Sequence, residues 1–379
     1  MLFEESLKTS ARNTLIDVTA LVRQSVQKSV ILLPRLFAAP LVLLLFFTLC
    51  SGETYYASEF ELLTRGTRTD AMGGTACAAG NDACILFINP AGLALLHHRE
   101  LSAEYTPLWN LGDDFMNSAL NLPFDSTLSV GMGFSRFQIN NIPWYGNLPG
   151  GSTEERYNDM SKRSTGKKLG TFGCAYDLLS FSIAKSVTTH LSQEVFYKLS
   201  IPTTLSVGTS LKFFRQSFAL PSALSDTYYE GHATDIDLGF LASFTLDKDL
   251  SSGTPSKILR TGFSLRNLFR SSISYNTDAD YEDSGERIRT LGLSYEQNIP
   301  FLRGGLLGTF DFIRRRDDNL ARYGVEYRYQ HLLFLRAGLH EEGFSAGTGI
   351  QYRFLRVDYS FQNHDFADTP YRLSLSIFL

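Results

Sequence analysis

The residues nearest to a known chemical motif are the segment Gly343–Gly347 (sequence GFSAG), which has the spacing of a hydrolase nucleophile elbow. That elbow needs a strand followed directly by a helix, so that its serine stands exposed on a sharp turn. Ser345 instead lies within an alternating apolar and polar segment, which predicts a strand. The seven histidines show no metal-ligand spacing, and the segment 166–168 lacks the glycine-rich start of a phosphate loop. We therefore expect a protein that is not an enzyme and uses no metal or cofactor.

Arginines on the polar faces of alternating segments are the second group with chemical potential. Five of them are candidates for holding a carboxylate ligand: Arg260, Arg266, Arg336, Arg353 and Arg356. A guanidinium binds a carboxylate through two parallel hydrogen bonds, so each of these arginines can hold the acidic group of a ligand. The same arginines are expected partners for Asp237, Glu326 and Asp358 on neighbouring strands. The sequence leaves both roles open.

Alternation between apolar and polar residues dominates the chain from about residue 99 onward. Leu128, Val130, Met132 and Phe134, for example, alternate with serines and glycines. Successive side chains of a strand face opposite sides, so each segment has one apolar face and one polar face. The apolar faces are large and aromatic, whereas the polar faces carry charges that need water or partners. This combination predicts an all-β fold, a transmembrane antiparallel barrel over residues 99–379, with a polar lumen.

Loop lengths predict a barrel of about fourteen strands. The longest polar loops, 138–167, 216–232 and 269–286, fall at one end of the predicted strands, and tight turns fall at the other. Long loops outside and short turns inside are typical of bacterial outer-membrane barrels. A barrel with two strands fewer or two more also fits, because the connection 188–202 is long for a periplasmic turn.

Residues 1–52 are predicted to be an export region. An apolar run from Leu36 to Leu49 precedes small residues, as in a signal peptide, and a membrane anchor is the alternative interpretation. Export of a barrel predicts an outer-membrane location. In the exported chain, Cys77 and Cys84 are either joined or free thiols. The net charge of -4 and the absence of a basic run give no indication of nucleic acid binding.

Residues 53–98 do not alternate and are rich in glycine and alanine, which favours short helices. Asn81 or Asp82 is expected to cap one helix, and Asn89 followed by Pro90 is a cap and first-turn pair for another.

Several motifs together resemble a known family: Ala71–Gly74, Asn81–Ala83, Asn89–Leu93, Ala233–Gly239, Gly324–Arg328, Leu335–Leu339 and Val357–Tyr359. They resemble FadL-type outer-membrane barrels, and still more the PorV-like barrels of type IX secretion and a spirochaetal branch of FadL-like proteins. The resemblance covers most of the chain after the export region. It implies a fourteen-stranded barrel whose lumen is closed by a hatch, or plug, formed by residues 53–98, with the Asn-Pro-Ala turn as part of the plug. The residues that the resemblance assigns to this hatch are Gly73, Gly74, Asn81, Asp82, Asn89, Pro90 and Ala91.

The resemblance also implies a function, the passive uptake of long-chain fatty acids or other hydrophobic small molecules through the plugged lumen. The alternatives are a PorV-like barrel that binds exported proteins and a surface adhesin, neither with transport activity. Expected partners are outer-membrane lipid and, from the amphipathic last strand, the barrel-assembly machinery.

A change in alternation within the fourth predicted strand leads to a separate hypothesis. Phe172, Cys174 and Tyr176 set one parity, and Phe181 and Ile183 set the other. If all of them face outward, the strand has a bulge between residues 177 and 179, where a ligand is released sideways.

Overall fold

The computed structural model describes residues 59–108, 113–145, 151–163, 166–193, 199–219, 228–248, 255–276, 283–315, 318–363 and 370–379. The expected export region, residues 1–52, lies outside these ranges. Within them, no helix combines the length and the apolar character needed to cross a membrane.

Strands account for most of the described chain. Their bounds are Glu100–Leu108 (β1), Asp113–Pro123 (β2), Leu128–Trp144 (β3), Gly170–Gln193 (β4), Leu199–Ala219 (β5), Tyr228–Lys248 (β6), Pro255–Arg266 (β7), Ser272–Tyr275 (β8), Asp283–Ser284 (β9), Ile288–Ile299 (β10), Gly304–Arg315 (β11), Asp318–Tyr329 (β12), Leu333–His340 (β13), Gly343–Tyr352 (β14), Leu355–Gln362 (β15) and Tyr371–Phe378 (β16).

Fourteen of these strands form one closed antiparallel wall, because β1 pairs with both β2 and β16 and β7 pairs with β10. The short strands β8 and β9 stand apart from this ring, with β8 paired to β6. The predicted fourteen-stranded barrel is confirmed. The long connection expected at 188–202 is wrong: β4 and β5 pair as far as Gln193 and Leu199, which leaves only residues 194–198 between them.

The two ends of the barrel differ, but two of the predicted loops are shorter than expected: β3 runs to Trp144, and only residues 220–227 of the predicted loop 216–232 lie between β5 and β6. The connections β3–β4, β5–β6 and β7–β10 lie at one end, called here the loop end. The connections β10–β11, β12–β13 and β14–β15 lie at the opposite, turn end, and the last of them has only two residues between its strands. This asymmetry agrees with long loops on one membrane side and short turns on the other.

The wall is apolar outside and mostly polar inside. In β16, the outward Leu373 and Leu375 are exposed, whereas the inward Arg372, Ser374 and Ser376 are buried. The same alternation recurs around the wall and gives the outer face the apolar band that a bilayer requires.

The bulge predicted between residues 177 and 179 is wrong. The pairing of β4 is regular there on both sides, from Tyr176 through Leu179. Tyr176 and Leu178 share the inward parity of the buried Ser180 and Ser182, so they face the lumen. The wall does have register shifts, but they lie in β3 between Ile139 and Ile142 and in β6 between Thr245 and Lys248.

Short helices fill the lumen ahead of β1. Their bounds are Glu59–Leu62, Thr67–Ala71, Ala83–Phe87 and Pro90–Leu95, and all but Thr67–Ala71 are 3-10 helices. The helix Thr67–Ala71 contacts β13–β16, whereas the last two contact β1–β6. Three more short helices, Thr153–Asn158, Met160–Lys162 and Pro300–Leu302, lie in the connections of the wall.

Candidate functional site

The hatch has two parts, whose helices contact different strands of the wall. Residues 64–75, the charged part, contain Arg65, Arg68 and Asp70. Residues 83–96, the apolar part, contain no charged residue. The composition of each part determines what holds it in the barrel.

The predicted Asn89-Pro90-Ala91 turn anchors the apolar part. The Asn89 side chain accepts a hydrogen bond from the Ala91 amide (3.2 Å), and Pro90 occupies the first turn of the 3-10 helix, as predicted. The Nδ2 of Asn89 donates hydrogen bonds to the carbonyls of Cys77 (2.7 Å) and of Phe240 in β6 (3.1 Å). Only a glycine fits opposite, because a Cβ on Gly239 would lie 2.2 Å from Asn89 Oδ1.

Asp82 is the second predicted cap, and its carboxylate accepts a hydrogen bond from the Cys84 amide (3.0 Å). Burial raises the pKa of Asp82 above its ordinary value, although Arg68 lies 3.8 Å away and opposes that shift. Asn81, the alternative cap, lines a cavity at the turn end instead.

Gly73 and Gly74 lie where the charged part of the hatch comes closest to the wall. Both have positive φ angles (69° and 79°), which fits their predicted role in tight turns. The Gly73 amide donates to Ser345 Oγ (2.9 Å), so the serine of the elbow-like segment holds the hatch. A Cβ on the facing Gly338 would lie 2.0 Å from the Gly73 nitrogen, so the backbones touch.

A buried chain of ion pairs joins the charged part to the turn end of the wall. Arg68 and Arg336 both bind Glu326, each at 2.7 Å. Arg336 also binds Asp358 (2.6 Å), which is shared with Arg356 (2.9 Å). Burial lowers the pKa of Arg68, but the carboxylates of Glu326 and Asp82 outweigh it and raise the pKa overall, so Arg68 stays charged. Arg336 and Arg356, two of the arginines predicted to bind a ligand, are thus paired with carboxylates of the wall.

A second ionic cluster secures the same part from β1 and β16. Arg372 lies 3.0 Å from Asp70 and 3.1 Å from Glu104, and Thr67 donates to Glu104 (3.1 Å). Ser360 donates to the other oxygen of Asp70 (2.7 Å).

The remaining predicted arginines lie apart from one another. Arg260 pairs with Glu296 (2.8 Å), and Arg266 lies at the loop end, where it lines a small cavity. Arg353 lies in the turn between β14 and β15, where it is exposed and stacks on Tyr352 (5.3 Å). The structure therefore does not bring the five arginines into one site, and Arg353 lies outside the lumen.

The two hatch cysteines are buried and free, so they are not joined. Burial raises the pKa of both thiols well above the ordinary value. Cys77 contacts the Thr290 carbonyl of β10 (3.6 Å), and Cys84 lies in the helix capped by Asp82.

Inward-facing aromatic rings cover the hatch at the loop end. Tyr176 contacts Phe60 (5.3 Å between centroids), Phe137 (5.9 Å) and Phe218 (6.3 Å), and Phe60 also contacts Phe214 (6.2 Å). Phe137, Tyr176 and Phe218 are half-buried, so their rings still present apolar surface to the loop-end lumen. The sequence did not reveal this aromatic cluster, because an apolar residue that faces the lumen has the same alternating spacing as one that faces lipid.

Arg65 is the other residue that the sequence analysis missed. Its guanidinium lies 5.5–5.7 Å from the ring centres of Phe60, Phe87 and Phe115 and donates to Ser135 (3.1 Å). Among the described residues, no carboxylate lies within 4 Å of it. Burial lowers its pKa to about 10, so it is still a cation at neutral pH. Its presence in a segment dominated by glycine and alanine was a usable signal.

Cavities lie at both ends of the hatch. Arg65, Arg266 and Asp311 line a cavity of about 30 Å³ toward the loop end. A larger cavity of about 440 Å³ lies toward the turn end, between the hatch and strands β12–β16. The described hatch residues between them are almost all buried, so the hatch divides the lumen.

A closed antiparallel wall with an apolar outer band, a polar interior and a lumen filled by a hatch defines a plugged β-barrel of the outer-membrane class.

The chain is similar to three solved barrels in particular. The Pseudomonas putida toluene transporter TodX has 12% identity and a TM-score of 0.47, with 83% of this chain and 96% of that chain covered. The Ralstonia pickettii toluene transporter TbuX has 14% identity and a TM-score of 0.44, with 84% and 100% covered. A Pseudomonas aeruginosa FadL homologue has 11% identity and a TM-score of 0.42, with 82% and 97% covered.

No protein-family model matches the sequence, and no curated protein matches it. At these identities and TM-scores, the function of this chain has to be inferred from its own residues.

Proposed function

We propose that this barrel lets hydrophobic small molecules, long-chain fatty acids among them, pass an outer membrane by diffusion through the plugged lumen. The observation that carries the proposal is the aromatic cluster. Half-buried aromatic rings do not stabilise water or ions in a lumen, whereas apolar ligands bind surfaces of this kind. The cluster lies directly on the hatch, so a ligand bound there touches the element that must move.

Arg65 supports a ligand with an acidic group. Among the described residues, Arg65 has no carboxylate within 4 Å, although Glu61 and Asp311 line the same cavity. A buried cation attracts an approaching anion strongly, because water is scarce there. Phe60, one of the rings around Arg65, also contacts Tyr176, so Arg65 lies beside the aromatic cluster. The site therefore combines an apolar surface with one cation, which matches the chemistry of a fatty acid.

The proposal includes the parts of the chain and the partners that the structure leaves untested. Residues 1–52 serve as the export region, residues 53–98 as the hatch and residues 99–379 as the barrel. The barrel-assembly machinery inserts the protein, and its outer band contacts membrane lipid.

Two pairs of rings on the same strands allow a matched test. Tyr176 and Phe218 face the lumen at 6.3 Å, whereas Phe181 and Phe213 form an outward pair at 6.3 Å. Uptake of a fluorescent long-chain fatty acid into liposomes should fall severalfold when the inward pair is changed to alanine. The outward pair changed to alanine is the control and should keep uptake, because it contacts only lipid.

Leakage of a small sugar, measured in the same liposomes, should stay low for all variants. Equal uptake by both double variants would contradict the proposal. That result, with a bound periplasmic or secreted protein, would favour the PorV-like alternative.

A further inference from the structure

A cavity at the turn end, opposite the aromatic cluster, has no role in the function proposed above. Its volume of about 440 Å³ is in the range of pockets that hold drug-sized ligands. Hatch residues and the turn ends of β12–β16 line it, so it opens away from the loop end.

The cavity has an apolar side and a cationic side. Leu95 and Leu96 from the end of the hatch line it together with Phe334 and Phe378 of the wall. The cationic side includes Arg328, which also lines an adjoining cavity of about 180 Å³ with Arg303 and His331.

The positive charge around Arg328 is not fully neutralised by its partner. Arg328 and Arg260 both bind the carboxylate of Glu296. Two guanidinium groups therefore share one carboxylate, and the buried Nε of Arg328 has no hydrogen-bond partner. The carboxylate that lines the cavity itself, Glu326, is already bound by Arg68 and Arg336. An added anion near Arg328 would balance this charge.

We propose that the turn-end cavity is a second binding site, which takes a single-chain amphiphile with a carboxylate head. The head lies against Arg328, and the alkyl chain lies along Leu95, Leu96, Phe334 and Phe378. The inference rests on the proposed function only in that the lumen is one source of such a ligand; the surrounding membrane is another.

Photocrosslinking tests the site without relying on transport. The membrane-inserted protein is irradiated in phosphatidylcholine nanodiscs with dodecanoate carrying a terminal diazirine, and the labelled residues are mapped by mass spectrometry. We expect labelling at Leu95, Leu96, Phe334 or Phe378. Dodecanoate should compete roughly tenfold better than dodecanol, because the charged head adds a hydrogen bond to a cation.

The cation is tested by substitution. Arg328→Gln should reduce labelling of the cavity severalfold, and Arg328→Lys should restore part of it. Lys257→Gln removes one positive charge from the turn half of β7, where Lys257 pairs with Asp247 (3.3 Å) outside the cavity, and should change nothing. Heat-modified migration on gels confirms that each variant is folded.

Three outcomes would overturn the proposal. They are labelling confined to lipid-facing residues, equal competition by dodecanol, and stronger competition by lysophosphatidylglycerol, which would identify a membrane-lipid site. Loss of uptake in the ring variants with cavity labelling intact, or the reverse, separates this site from the proposed transport function.

Discussion

The two parts of the hatch are held in the same barrel by different forces. The charged part is tied to β12–β16 through Glu326, Arg372 and the touching backbones at Gly73 and Gly338. The apolar part packs on β1–β6 through a cluster that includes Leu86 and Leu93. Ion pairs fix one geometry and lose most of their strength when a single partner is missing. Apolar contacts lose strength gradually with area, so they tolerate small shifts. We infer that the apolar part, next to the aromatic cluster, is the part that moves first.

The largest expected effect is on the charged part. Glu326→Gln leaves Arg68 and Arg336 facing each other without their shared carboxylate, which should cost about 4 kcal/mol locally. Hydrogen exchange of residues 64–75, measured by mass spectrometry, should accelerate strongly, while exchange of residues 83–96 changes less. Glu155→Gln removes an exposed partner of Lys162 (3.6 Å) and should have almost no effect. Equal acceleration in both parts would mean that the hatch moves as one unit.

A smaller effect is expected from the apolar part. Leu93 is fully buried, and Leu93→Ala should cost about 3 kcal/mol through lost contacts and a cavity. Exchange of residues 83–96 and thiol labelling of Cys84 should accelerate, whereas residues 64–75 keep their protection. Leu93→Met, which conserves volume, is the control and should stay close to the parent. If Cys84 stayed protected in the alanine variant, the independence of the two parts would be wrong.

The smallest expected effect concerns pH. Because burial raises the pKa of Asp82, its contribution to hatch stability is present below the ordinary value of 3.8 and is lost as pH rises through the raised value. Asp82→Asn keeps the helix cap but cannot ionise, so it should lack this loss. The hydrogen-exchange rate of the Cys84 amide, measured from acidic to neutral pH, should therefore differ increasingly between the parent and Asp82→Asn as pH rises. Parallel curves would show that Asp82 does not titrate in the hatch.

Glu61, near the start of the hatch, should respond in the opposite direction. Burial alone would raise its pKa, but Lys212, Arg65 and Arg266 outweigh burial and lower it. Its contribution is therefore present at neutral pH and is lost as pH falls through the lowered value. In Glu61→Gln, exchange of residues 59–63 should be faster at neutral pH and should approach that of the parent in acid. A constant difference at all pH values would argue against an ionic role.

Much of the fold was predictable because the bilayer imposes a simple rule. Every outward residue in the membrane must be apolar, so strand number and loop asymmetry are visible in the sequence. Asn89 and Pro90 were predictable for a local reason, since capping depends on neighbouring backbone groups.

The inside of the barrel follows no such rule, and prediction failed there. Tyr176 faces inward yet looks like an outward residue, because the hatch makes part of the lumen apolar. Arg353 was expected in the lumen, but it lies where the chain reverses over two residues. Which carboxylate meets which arginine depends on register and on the path of the hatch, and neither is local in sequence.

The wall closes on itself between β1 and β16 without help from the residues that precede β1. The hatch is thus joined to its enclosure by one covalent link, near Arg99, and otherwise meets it as a separate chain would. Its boundary with the wall has the composition of an interface between two proteins: a buried apolar cluster, buried ion pairs and backbones in contact at Gly338. A chain cut before β1 and supplied with residues 53–98 as a free peptide should reassemble, which would make the plug an exchangeable component.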